Sequence, residues 1–130
     1  MPLEKQVTSL KLSQRLKELG VKQESLFWWD NGELPIRSDG KKRIPFVQYS
    51  KKGFAEYKNF YSTFTVAELG EMLNKVALQL NCGDTWYQLS GQEKWTVGWD
   101  GDMHEELADT EADARAKLLI YLLESKLIKL

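Results

Sequence analysis

The sequence predicts an α+β domain in which an antiparallel sheet of four or five strands packs against two or three helices. Three observations carry that prediction. Two segments, beginning near Thr65 and Thr110, combine a helix-start signal with apolar residues at helical spacing. Several short aromatic or alternating segments are bounded by Gly, Pro, Asn and Asp, as strands are. The chain has 130 residues, 42% hydrophobic and 28% charged, enough for one core without a disulfide or metal staple. It reads as a single domain over residues 1–130, with 1–8 expected to be flexible because they carry no pattern.

The elements follow in order. Leu12, Leu16 and Leu19 share one face of a helix over 9–19, and Gly20 stands where a left-handed C-terminal residue is favoured. Ser25 to Trp29 reads as a strand ended by Asp30-Asn31-Gly32. Strand alternation sends Trp28 and Trp29 to opposite faces, so the sheet has either both faces covered or one sticky face. Ile44 to Tyr49 reads as a strand at a sheet edge, or with Pro45 at its start, because proline donates no ladder hydrogen bond. Lys51-Lys52-Gly53 is a turn, and 54–61 is ambiguous between helix and strand.

Thr65-Val66-Ala67-Glu68 is a capping box, flanked by Phe64 and Leu69 as a hydrophobic staple. The helix it opens is expected over 66–76, and Gly70 within it marks a close approach by another element. Ala77 to Cys82 is expected to be a short strand, with 85–90 and 93–99 as a hairpin. In the second arm Trp95, Val97 and Trp99 share a face. A last helix over 110–125 carries the longest apolar face and is expected to be the most buried, with Asp113 completing a carboxylate form of the capping box.

Composition excludes several classes of function. There are 18 basic and 19 acidic residues, so the chain is no generally basic nucleic-acid binder. One Cys and one His exclude an internal disulfide and any site built on several such ligands. Cys82 and His104 are the one thiol–imidazole combination available, and no motif surrounds either. Asp84 with Glu93-Lys94 is superficially nuclease-like, but adjacent strand residues point apart and cannot enter one magnesium site. The acidic run Asp100, Asp102, Glu105, Glu106, Asp109, Glu111 and Asp113 misses the calcium-loop spacing and reads as a solvated turn leading into a helix N-terminus. No phosphate-loop or dinucleotide fingerprint occurs in the glycines. The expectation is a protein that is not an enzyme, with no cofactor, no metal site and no membrane span.

Binding is better supported. Residues 37–58 hold seven basic residues against two acids, interleaved with Phe46, Tyr49, Phe54 and Tyr57. Cationic heads capture phosphates and aromatic faces stack bases. The candidate ligand-binding residues are therefore Lys41, Lys42, Arg43, Tyr49, Lys51 and Lys52, although Lys-rich edges also serve solubility. Five Trp is a high count for a chain this size, and one small core face cannot take them all. Trp28, Trp29, Trp86, Trp95 and Trp99 are the candidates for a subunit interface, and a homodimer through an aromatic sheet face is the simplest form of it.

Three blocks, Leu16 to Trp29, Phe64 to Leu73 and Thr110 to Glu124, resemble an uncharacterised family of short proteins of bacteriophages, prophages and other mobile elements. Relatives often carry Pro after Glu-Met-Leu, where this chain has Asn74, which should extend the helix. The resemblance assigns no residue a role. It implies a phage accessory protein in the host bacterial cytoplasm that acts by binding. The expected partner is a host protein or other host macromolecule, or an anionic nucleotide-type ligand, with inhibition of a host defence as one outcome. Two alternatives stand beside it: a phage protein that binds single-stranded nucleic acid, and a metal-dependent hydrolase using the 100–113 carboxylates.

Overall fold

Trp28 and Trp29 sit in the middle strand of a three-stranded antiparallel sheet, and that placement organises the N-terminal half of the chain. The computed structural model describes residues 2–31, 44–51, 53–79, 87–90, 95–99 and 104–128. Within them lie α1 (Leu10–Glu18), β1 (Phe27–Asp30), β2 (Phe46–Tyr49), β3 (Phe60–Thr63), α2 (Val66–Gln79), β4 (Tyr87–Ser90), β5 (Trp95–Trp99), β6 (His104–Ala108) and α3 (Glu111–Glu124). The α+β class holds. The strands are divided between two antiparallel sheets, ordered β2-β1-β3 and β4-β5-β6, instead of gathered in one. As Pro45 requires, β2 is an edge strand and begins just after the proline.

Local chemistry sets the helix ends. At the end of α1, Gly20 has φ +89, its amide donates to Lys17 O at 3.1 Å, and the Val21 amide donates to Leu16 O at 3.1 Å. That is the paired hydrogen bonding of a Schellman cap, and it folds Val21 onto buried Leu16. At the start of α2, the Glu68 amide donates to Thr65 Oγ1 at 3.2 Å, and Glu68 Oε1 accepts the Thr65 amide at 3.1 Å, so the capping box is complete. Its staple residues Phe64 and Leu69 are fully buried. Gly70 faces α3: a Cβ there would stand 2.8 Å from Nη1 of Arg115.

The main core lies around α3, which packs on α1, α2, β5 and β6. Ala112, Ala114, Ala116, Leu118, Leu119, Ile120 and Leu122 are all buried, and at 100° per residue they spread over more than one face of the helix. Leu16, Phe64, Leu69, Leu73 and Val97 complete the cluster.

Several expectations are corrected. The segment expected as a strand from Ala77 continues α2 through Gln79, because Ala77-Leu78-Gln79 is as good a helix extension as a strand. Part of the expected acidic turn is β6, whose alternate residues Glu105 and Leu107 are exposed. The ambiguous 54–61 segment splits into turns followed by the start of β3. Residues 2–8 are not a loose end: Leu3–Lys5 form a 3-10 turn, Val7 bridges to Thr65, and Val7 and Thr8 are fully buried. Asp113 does not close a capping box on Thr110. Its amide donates to Thr110 Oγ1 at 3.2 Å, but its carboxylate accepts the Ser9 amide at 2.7 Å and so joins the starts of α1 and α3.

Candidate ligand groove

The two faces of the first sheet have different covers, and this decides which aromatics remain available. On the Trp28 face, Phe54 packs edge-on at 5.8 Å and lies 4.4 Å from Phe60. The Trp28 indole N–H donates to Ser25 O at 2.9 Å, and the residue has no exposed surface. On the Trp29 face, the indole N–H donates to Thr8 O at 2.8 Å. Thr8 is the hub of a buried hydroxyl network: its Oγ1 lies 2.7 Å from Thr63 Oγ1 and 2.8 Å from Ser13 Oγ, and accepts the Phe64 amide at 3.1 Å. The expectation of a subunit interface at Trp28 and Trp29 is therefore corrected. Both indoles are spent on the interior of one chain, because both sheet faces are covered.

Phe27, on the Trp29 face, is not covered in this way. It lines a groove of about 550 Å³ where the N-terminal segment, the two sheets and the starts of α2 and α3 meet. Leu3, Lys5 and Gln6 form one wall. They are held there by the Val7–Thr65 bridge and by the Thr8 amide, which donates to Phe64 O at 3.0 Å. Thr65, Val66 and Ala67 form the second wall, and Glu111 and Ala112 the third. Trp95 of β5, half-buried and packed on the core, closes the apolar side. Two helices begin on this groove, each with one first-turn amide already capped from within the chain, Glu68 by Thr65 Oγ1 and Asp113 by Thr110 Oγ1, so what they offer a ligand is the positive end of the helix dipole. Glu111 opposes that field, with Arg115 Nη2 at 3.4 Å from its Oε1.

The expected ligand residues are distributed as follows. Tyr49 is 53% exposed at the end of β2, and its ring meets Phe27 edge-on at 5.9 Å, so it flanks the groove. Lys51 is exposed just beyond it. Lys41, Lys42, Arg43 and Lys52 lie outside the described residues. Of the expected interface residues, Trp95 lines the groove, Trp99 ends β5 opposite His104, and Trp86 lies outside the described residues. Phe27 and Lys5 were not anticipated. Phe27 shares its strand with the two Trp residues and was overshadowed by them, and nothing local singles out Lys5.

A second groove, of about 480 Å³, runs between α1 and α3 over Leu12, Ile120 and Tyr121. Most of its charged side chains already have partners. Arg15 pairs with Glu124 at 2.9 Å and Glu18 at 3.0 Å, Glu124 contributing most to raising its pKa. Lys117 donates to Leu107 O at 2.8 Å. Beside it His104 stacks on Tyr121 at 3.5 Å and meets Glu106 Oε1 at 2.9 Å. Among the described residues no three His, Cys, Asp or Glu side chains gather as metal ligands. Cys82, Asp84, Glu93, Lys94, Asp100 and Asp102 lie outside them. No helix among the described residues is long and apolar enough to cross a membrane. Compared with family models, curated proteins and solved structures, the chain matches none of them.

Proposed function

We propose that this is a non-enzymatic accessory protein of a phage or mobile element that binds an anionic nucleotide-type ligand in the groove between its two sheets. The observation that supports this reading is the convergence of Phe27, Trp95 and Lys5 on one groove at the starts of two helices. Aromatic walls suit a planar base, and a cation with helix starts suits a phosphate. Holding such a ligand, or a host protein that carries one, is the form an anti-defence role would take. Native mass spectrometry of gently purified protein tests it. A small anionic species that is lost on denaturation, and absent from a Lys5→Ala/Phe27→Ala variant of unchanged melting temperature, is the expected result. The same species retained by that variant would reject the groove.

A second reading, single-stranded nucleic-acid binding, is favoured by one separate observation. Tyr49 and Tyr57 are more than half exposed, with Lys51 and Lys58 exposed near them in sequence. Strand binding there would weaken steeply with salt through counterion release. Binding of a small ligand in the groove would weaken far less.

A further inference from the structure

The chemistry of the groove narrows its ligand, on the reading just given. Among its described lining residues there is one cation, Lys5, and one carboxylate, Glu111. The rest of the lining is largely apolar: Leu3, Phe27, Val66 and Trp95. We propose that the groove takes a nucleotide carrying a single negative charge, as a 3′,5′-cyclic mononucleotide does, and that Glu111 sets this specificity by disfavouring polyphosphates.

Three physical arguments converge on this. Lys5 can neutralise one phosphate charge, and it stands on a turn of three residues with no second described cation in the groove to assist it. Each further ligand charge would meet the Glu111 carboxylate, whose repulsion grows with the charge it faces. Arg115 offsets Glu111 only in part: it reaches the carboxylate from four residues along the same helix, at the long distance of 3.4 Å, and both side chains are 20–25% exposed. Apolar walls add to the discrimination, because they desolvate a polyphosphate without supplying partners for it. A cyclic phosphodiester asks for one cation and gives its base and sugar to the aromatic side.

Calorimetric titration at one fixed ionic strength tests the proposal. The probes are cyclic AMP, cyclic GMP, ATP, GTP and a short single-stranded oligonucleotide. The proteins are wild type, Glu111→Gln and Lys5→Ala, each checked for an unchanged melting temperature. The expected result is that at least one cyclic nucleotide binds wild type about tenfold or more tighter than its triphosphate. Glu111→Gln should then tighten the triphosphate by about fivefold while moving the cyclic nucleotide by less than about twofold. Equal binding of triphosphate and cyclic nucleotide, or a gap that Glu111→Gln leaves untouched, would overturn the charge proposal and leave the groove reading standing. Binding of the oligonucleotide alone, or cyclic-nucleotide binding indifferent to Lys5→Ala, would overturn both.

Discussion

Gly53 lies against the indole of Trp28 so closely that a Cβ on it would stand 2.9 Å from Cζ2, and its φ of +73 is one that side chains disfavour. The contact closes the 53–60 turn over the Trp28 face of the first sheet. Gly53→Ala should therefore lose about 2 kcal/mol or more, since the buried ring has no free direction in which to move. Urea unfolding followed by Trp fluorescence measures it, and a wild-type midpoint would show that the turn does not clamp Trp28.

The Thr8 hub gives a second prediction. Thr8→Val removes the Oγ1 that accepts the Phe64 amide and bonds Thr63 and Ser13. Stranding buried polar groups costs about 1–3 kcal/mol. Thr63 Oγ1 keeps its hydrogen bond to Thr8 O at 2.6 Å, so Thr63→Val should still cost stability in the Thr8→Val background, but less than in the wild type, because the contact between the two hydroxyls is already gone. A double-mutant cycle in chemical denaturation gives both numbers. Simple additivity would mean that the two hydroxyls are not coupled.

Asp113 gives the pH dependence. Burial raises its pKa above the ordinary aspartate value, against the lowering effect of the Ser9 hydrogen bonds. The folded chain therefore binds this proton more readily than the unfolded chain. The stability it contributes is fully present below the ordinary aspartate pKa and is lost as pH rises through the raised folded value. Asp113→Asn keeps an oxygen to accept the Ser9 amide and removes the titration. The slope of stability against pH across that acidic window should flatten in this variant, and an unchanged slope would assign the dependence to other groups.

The end of α3 offers a stabilising change. Lys126 has φ +57, its amide donates to Leu123 O at 3.1 Å, and the Leu127 amide donates to Leu122 O at 3.1 Å. This is the same cap that Gly20 makes after α1, built with a residue that pays steric strain for it. Lys126 is exposed, so Lys126→Gly should gain about 0.5–1 kcal/mol, and Lys126→Ala should gain nothing. Thermal melts of the two variants side by side decide it.

What the sequence determined by itself is the local chemistry. The cap at Gly20, the capping box at Thr65 and Glu68, the edge placement of the strand after Pro45 and the dominant apolar face of α3 each depend on residues a few positions apart. Short-range rules therefore suffice for them. The close approach at Gly70 was legible too, but not that Arg115 makes it.

Tertiary structure decided the rest. Strand β6 was hidden because His104 and Glu106 lie on its inner side, where stacking on Tyr121 and a His–Glu hydrogen bond replace the apolar alternation that marks a strand. Both Trp28 and Trp29 are buried because segments 2–9 and 53–60, remote in sequence, each cover one face of the same sheet. A pattern of period two cannot report how many faces have covers. The groove has the same origin. Lys5, Phe27, Trp95 and Glu111 are separated by 22, 68 and 16 positions along the chain. No spacing rule links residues so far apart; the packing of two sheets and two helix starts brings them onto one surface.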